Sequence, residues 1–239
     1  MRLSKIIAMS GVASRREAEK LITDGIVKVN KHIITDIITF VKDGDDITVG
    51  DKNISQWLNH NFAEAETKLW LFNKPKGVIT SRSDPQGRTT LFQLLPSHLQ
   101  GLISVGRLDY NTEGLILLTN NGKLARYFEL PSNAIKRVYR ARVYGPKLSN
   151  NNLDMIRHGI TINGISYGAI DINHDCKKWY TLILKEGKNR EIRNIFAYFD
   201  LKVIRLIRIS YGEFNISEVK QGDIIQVNSK IIEQYKSLI

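Results

Sequence analysis

Cysteine is almost absent from this 239-residue chain. Cys176 stands alone, which excludes an intrachain disulfide and a cysteine-based zinc site. Histidine is little better supplied: His32, His60, His98, His158 and His174 are scattered without metal-ligand spacing, so no metal is expected. The string His174-Asp175-Cys176 has the residue types of a nucleophilic triad, but adjacent side chains in a strand or turn diverge, and it reads as an ordinary loop. Long apolar runs are missing too. Neither a leader nor a membrane span is expected, and a reducing, cytoplasmic setting follows. No glycine-rich phosphate-binding signature occurs, so no nucleotide cofactor is indicated. Acidic residues are in deficit, 24 against 35 Lys and Arg, giving a formal charge of +11. That excess points to an anionic partner, nucleic acid ahead of an acidic membrane surface. A hydrophobic content of 42% is enough for a conventional core, so the charge does not signal disorder, and the length fits two domains.

Near the N-terminus, Leu3, Ile6 and Ile7 form an apolar stripe at helical spacing, with Arg2 and Lys5 on the other side and Gly11 as the break. Ser14-Arg15-Arg16-Glu17 has the form of a capping box, opening a second helix through Ala18, Leu21 and Ile22 that stops at Gly25. Residues 26–31 read as a strand entering a tight turn, 33–34 continue it, and 47–49 close a small sheet. With Arg2, Lys5, Arg15, Arg16, Lys20, Lys28 and Lys31, this is a compact basic module over residues 1–50. Residues 51–67 lack clear periodicity and read as a linker that could carry a short helical piece.

The remainder, 68–239, interleaves strands and helices in an α+β pattern with a mixed, mostly antiparallel sheet. Strands are expected at 68–72, 78–80, 115–118, 138–143, 160–167, 170–172, 179–184 and 203–209, with a turn at 74–77 between the first two. Helices are expected at 91–95, 123–130, from 147 towards 156, and at 191–199.

Residues 106–122 say most about chemistry. Asp109 follows Gly106-Arg107 and precedes a turn expected at 110–114. A carboxylate on a connection between buried strands is held rigidly yet stays reachable, and Arg107 puts a permanent cation near it that favours the ionised, nucleophilic form. The string Gly-Arg-Leu-Asp-Tyr-Asn-Thr-Glu-Gly-Leu resembles the catalytic loop of the RNA pseudouridine synthases, in the ribosomal branch with an N-terminal S4-like RNA-binding domain. Three further strings match that family in order: Lys136-Arg137-Val138-Tyr139-Arg140-Ala141-Arg142-Val143, Glu186-Gly187-Lys188-Asn189-Arg190-Glu191-Ile192-Arg193 and Arg205-Leu206-Ile207-Arg208-Ile209-Ser210-Tyr211-Gly212. Residues 12–18 and 27–30 resemble the S4-like module.

The resemblance implies Asp109 as catalytic aspartate, Tyr139 stacked on the target base with its hydroxyl in proton transfer, Arg193 paired with the aspartate, and Leu206 as the apolar wall under uracil. It implies Arg107 steering the flipped uridine, Arg208 on the RNA backbone, and Arg15 and Arg16 on phosphates; the cations around Tyr139, Arg140 and Arg142 among them, favour an RNA-facing surface there. Lys20, Lys28, Lys136, Lys188 and Arg190 complete the expected RNA-contacting set, and Asn189 is expected to cap the helix after it. The reaction needs no cofactor. Two positions depart from the family pattern: Ala141, where a bulkier β-branched residue is usual, and Asn194, where a second Arg is common. The implied activity is conversion of one uridine in ribosomal RNA, in 23S ahead of 16S RNA, either free or within a subunit assembly intermediate, by a monomer. The alternative to catalysis is an assembly factor that keeps the fold and only binds rRNA.

Overall fold

The computed structural model describes residues 1–58 and 66–238. The chain divides into two compact units, Met1–Thr67 with Pro96–Gly101, and Lys68–Leu95 with Leu102–Ile239.

In the first unit, the helices Leu3–Met9 and Arg15–Thr23 pack on a four-stranded antiparallel sheet. The expected capping box is present: the Ser14 hydroxyl accepts the Glu17 amide at 3.3 Å, and the Glu17 carboxylate accepts the Ser14 amide at 2.8 Å. Asn30 and Lys31 both take positive φ, the geometry that a two-residue hairpin turn requires, and so join the strands Val27–Val29 and His32–Ile34. Leu3, Ile6, Ile7, Ala18, Ile22, Val27, Ile47 and Val49 form the core. The expected linker at 51–67 is corrected over its first half. Lys52–Asn53 pairs with Ile47–Val49, and Ile54 and Leu58 are buried in this core. Trp57 packs beside them, and residues 56–58 are helical, in line with the short helical piece expected there; a two-residue strand followed by a single apolar i, i+3, i+4 set is too short to stand out as a period. The rest of that stretch, 59–65, lies outside the described residues.

The second unit is built on a nine-stranded sheet. Its main path runs Asp171–His174, Trp179–Leu184, Arg137–Tyr144, Lys202–Tyr211, Thr112–Thr119, Leu69–Lys74 and Ile224–Gln226. Phe214–Asn215 and Ile103–Val105 pair alongside. Every pairing is antiparallel except one, Lys202–Tyr211 against Thr112–Thr119 at the centre. Thr112–Thr119 and Leu69–Lys74 are buried along their whole length, as a central pair covered on both faces must be. The first of these starts earlier than the expected 115–118, because Thr112 and Glu113 already pair with Leu206 and Ile207. One hydrophobic cluster lies under helix Gly122–Glu129 and the C-terminal strands. A second lies under helices Asn150–His158 and Glu191–Tyr198, with Ala141, Tyr180, Leu182, Val203 and Leu206 at its heart.

The parallel junction positions the site, and it depends on a glycine. Gly114 faces Arg208 across the pair with φ of +110°. A Cβ there would overlap the Arg208 carbonyl oxygen and lie 2.7 Å from its backbone nitrogen. Next to it, the buried Glu113 carboxylate receives both the Nε (3.0 Å) and Nη2 (2.9 Å) of Arg205, a bidentate clasp across the same two strands. Gly114→Ala is therefore predicted to lose about 3 kcal/mol of stability, because the new methyl meets the backbone of Arg208 on the neighbouring strand and not a side chain that can swing away. A urea unfolding midpoint unchanged from the parent would contradict this.

Candidate active site

The strand Ile103–Val105 enters a loop at 106–111, and Thr112–Thr119 leaves it. Four residues from outside and one local turn bond grip this loop by its backbone. The Glu129 carboxylate accepts the Gly106 amide at 2.8 Å. The Thr80 hydroxyl accepts the Leu108 amide at 3.2 Å and donates to the Leu108 carbonyl at 3.0 Å. The Gly77 amide donates to the Tyr110 carbonyl, and the Thr112 amide to the Asp109 carbonyl. Arg193 Nη2 donates to the Asn111 carbonyl at 2.9 Å. The Asp109 side chain stays 37% exposed in this fixed frame. A rigid backbone with a reachable carboxylate suits a reacting group.

Arg193 projects from the first turn of helix Glu191–Tyr198. Its Nη1 donates to the Val203 carbonyl at 3.1 Å, and its Nε lies 3.9 Å from Asp109 Oδ2. Burial lowers the pKa of this guanidinium, and the charge of Asp109 opposes that shift. The cation beside Asp109 is thus Arg193; Arg107 is exposed in the lining of the same cleft and makes no ion pair with Asp109. The helix start differs from expectation. Arg190, at φ +52°, is the N-cap residue, and it is the Glu191 carboxylate that accepts the Lys188 amide at 2.9 Å; Asn189 makes no side-chain cap. Glu191 is buried, and burial pushes its pKa up to about 7, against the Lys188 amide bond and with help from the nearby Glu186 charge.

The cleft in front of Asp109 has a volume of about 920 Å³. Asp109, Tyr139, Arg193 and Leu206 line it together, as do Arg107, Lys188, Arg190 and Arg208. Leu206 is 4% exposed and pairs with Ala141, so the small residue at 141 sits directly beside the cleft wall. Asn194, the other departure, donates to the Tyr167 hydroxyl at 3.0 Å and ties the helix to a neighbouring hairpin. Tyr139 is half-buried, and its hydroxyl accepts Arg208 Nη1 at 3.4 Å.

Two expectations change here. Arg140 and Arg142 do not share the surface of Tyr139, since successive strand residues point to opposite faces. Arg140 instead lies over the Trp179 ring and pairs with Asp175. Arg208 is 2% exposed, so it is not a surface contact for an RNA backbone. Its Nε donates to the Leu115 carbonyl at 2.7 Å, its guanidinium stacks 4.8 Å from the Tyr211 ring, and its Nη2 is buried without a hydrogen-bond partner. Arg137 is buried on the same ring, donating to the Tyr211 hydroxyl and the Phe128 carbonyl. Lys136 is exposed and outside the cleft lining; Arg15, Arg16, Lys20 and Lys28 are exposed on the first unit.

Sequence reasoning passed over three residues. Lys74, in what read only as a turn, is fully buried, and its Nζ donates to the carbonyls of Val78 (2.6 Å) and Pro75 (3.1 Å). Burial pushes its pKa down to about 8, while the charges of Asp109 and Glu113 act to raise it. Thr80 and Glu129 carry no signal in a single sequence, because their roles depend on a loop far along the chain. Among the described residues, no group of three or more His, Cys, Asp or Glu side chains is placed to hold a metal ion, and no helix is long and apolar enough to cross a membrane.

A carboxylate backed by a buried guanidinium, an aromatic hydroxyl and an apolar wall meet in a cleft edged by Arg88, Arg107, Lys188 and Arg190. That set fits a planar base extruded from an anionic chain. The comparisons with known proteins agree. Residues 68–198 match the RNA pseudouridylate synthase family, and residues 1–47 match the S4 domain. An uncharacterized RNA pseudouridine synthase of Rickettsia felis is 46% identical over 237 residues, covering 98% of this chain and 99% of that protein. The ribosomal large subunit pseudouridine synthase B of Buchnera aphidicola is 35% identical over 247 residues, covering 100% and 97%. A crystal structure of a pseudouridylate synthase superposes with a TM-score of 0.68 at 25% identity, covering 98% of each chain. By fold, by sequence and by the arrangement of its cleft, this chain belongs to the RNA pseudouridine synthases, with an S4 domain ahead of the synthase fold.

Proposed function

We propose that the chain converts a specific uridine of large-subunit (23S) ribosomal RNA to pseudouridine, with Asp109 as the catalytic carboxylate. The observation that carries the reading is the meeting of Asp109, Tyr139, Arg193 and Leu206 in one cleft from four separate stretches of sequence. The choice of large-subunit RNA rests on the Buchnera relative named for that subunit.

Isomerisation breaks the bond between N1 of uracil and C1′ of ribose, turns the base, and joins C5 to C1′. A proton leaves C5 and one is gained at N1, so nothing external is consumed. The reacting atoms are shielded while the base is stacked, so the uridine first leaves its stack and enters the cleft. Asp109 attacks at the ribose or the base, and Arg193 beside it keeps it aimed. The Tyr139 ring stacks on the freed uracil and its hydroxyl takes part in moving the C5 proton, while Leu206 supplies the apolar wall. Arg107 steers the flipped nucleotide. Lys188 and Arg190 on the rim, and Lys136, Arg15, Arg16, Lys20 and Lys28 elsewhere, meet phosphates.

The test is tritium release from RNA labelled at uridine C5, since C5–H is the one carbon–hydrogen bond lost in forming the product. The protein is expected to release tritium from 23S RNA or its assembly intermediates and not from 16S RNA. Asp109→Asn is predicted to bind the same RNA with unchanged affinity and to release no tritium above background; activity near the parent's would remove Asp109 from the mechanism. For the first unit, Arg15→Ala with Arg16→Ala is predicted to weaken RNA binding and flatten its dependence on salt concentration, with a slope shallower by about one to two. A salt slope identical to the parent's would take these two residues off the phosphates.

A further inference from the structure

Thr80 is held by bonds on the residues before it. The buried ammonium of Lys74 takes the Val78 carbonyl at 2.6 Å. The Ile79 amide donates to the Thr89 carbonyl at 3.1 Å, and the Ile79 carbonyl accepts the Leu91 amide at 2.8 Å. Two consecutive residues are thus tied to different elements, and a β-branched side chain follows whose χ1 is itself restricted. The Thr80 hydroxyl is in effect a fixed peg.

What the peg holds is Leu108. A hydroxyl has one proton to give and two lone pairs to offer. Here it gives the proton to the Leu108 carbonyl (3.0 Å) and accepts the Leu108 amide (3.2 Å). Among the described residues no other group bonds either one. The Leu108 side chain is 5% exposed, so this residue is fixed both through its side chain and through its backbone. Asp109 comes next. On its other side, Arg193 holds the Asn111 carbonyl and approaches the Thr112 hydroxyl at 3.4 Å. The reactive carboxylate therefore hangs between two clamps, a neutral hydroxyl before it and a guanidinium after it.

We infer that Thr80 is a positioning residue for the isomerisation, setting the reach of Asp109 towards the bound uridine by gripping the backbone of Leu108. The inference rests on Asp109 being the catalytic carboxylate. Thr80 is in the lining of the cleft, but its hydroxyl is committed to Leu108 in both directions, so it acts through that residue. Its contribution is realised only when Asp109 must meet the substrate at bonding distance, where displacements of an ångström cost rate and not affinity.

The test compares Thr80→Val, which keeps the shape and removes the hydroxyl, with Thr80→Ser, which keeps the hydroxyl. Asp109→Asn is run beside them on the same labelled RNA. Thr80→Val is expected to lower kcat about ten- to a hundredfold with KM within about twofold of the parent. Thr80→Ser is expected to restore kcat to within about threefold. Amide hydrogen exchange at Leu108 should be slow in the parent and in Thr80→Ser, and faster in Thr80→Val, a readout independent of activity. If Thr80→Val fails to fold, Thr80→Ala takes its place in both measurements. Parental kcat in the hydroxyl-free variant, a loss confined to KM, a loss that Thr80→Ser shares in full, or unchanged exchange at Leu108 would each overturn the role of Thr80. An active Asp109→Asn would instead overturn the reading of Asp109, whatever Thr80 does.

Discussion

Backbone lies against backbone where Gly114 meets Arg208, and the cleft depends on that approach. Outside the nine-stranded sheet, residues 78–80, expected as a strand, make only an isolated parallel bridge of Ile79 with Thr90; within that sheet, the strands of Gly114 and Arg208 form the one parallel pairing. Through it, the strand that follows Asp109 runs beside the strand that carries Leu206, and that strand in turn pairs with the one carrying Tyr139. A side chain at 114 would push the two central strands apart and separate Asp109 from its partners. The Glu113–Arg205 clasp fastens the same junction by charge, one residue away and on the opposite face of the sheet. Sterics and electrostatics thus agree on the register, and a register slip of one residue would reverse the face of every side chain in the strand.

Around this junction the buried ionic groups are unbalanced. Arg137, Arg208 and Lys74 are all buried, and backbone carbonyls and tyrosine hydroxyls accept most of their hydrogen bonds. Buried cations bonded to neutral acceptors are expensive to maintain, and Lys74 shows this in a pKa lowered to about 8. Such a cost is tolerated where it has a use. Here the use is a positive field beneath a cleft that holds a carboxylate and receives an anionic chain. The loop bearing Asp109 needs little intrinsic rigidity, because Gly77, Thr80, Glu129 and Arg193 hold its backbone from outside.

Much of the site was legible before the structure because it is built from short contiguous strings. Asp109, Tyr139, Arg193 and Leu206 each sit in a string of recognisable form, and the capping box at Ser14 and the strand at 179–184 follow local rules that need no tertiary context. What escaped has one physical origin, dependence on contacts distant in sequence. Asn189 looks like a helix cap, yet the buried Glu191 takes the amide. The family resemblance puts Arg208 on the RNA backbone, but the Leu115 carbonyl and the Tyr211 ring lie where its side chain goes. The alternating cations at 140 and 142 looked like neighbours of Tyr139, whereas strand geometry alone would have sent them to the opposite face. Thr80 offered nothing to read, since its role exists only once Leu108 is beside it.

The account is tested most directly by carbodiimide-stop primer extension across both ribosomal RNAs, from cells with and without this protein. The predicted result is the loss of one stop, in 23S RNA, that returns when the intact chain is supplied and does not return with the Asp109→Asn chain. An identical pattern of stops in both RNAs would contradict the account and leave the cleft a binding surface for ribosomal RNA without chemistry.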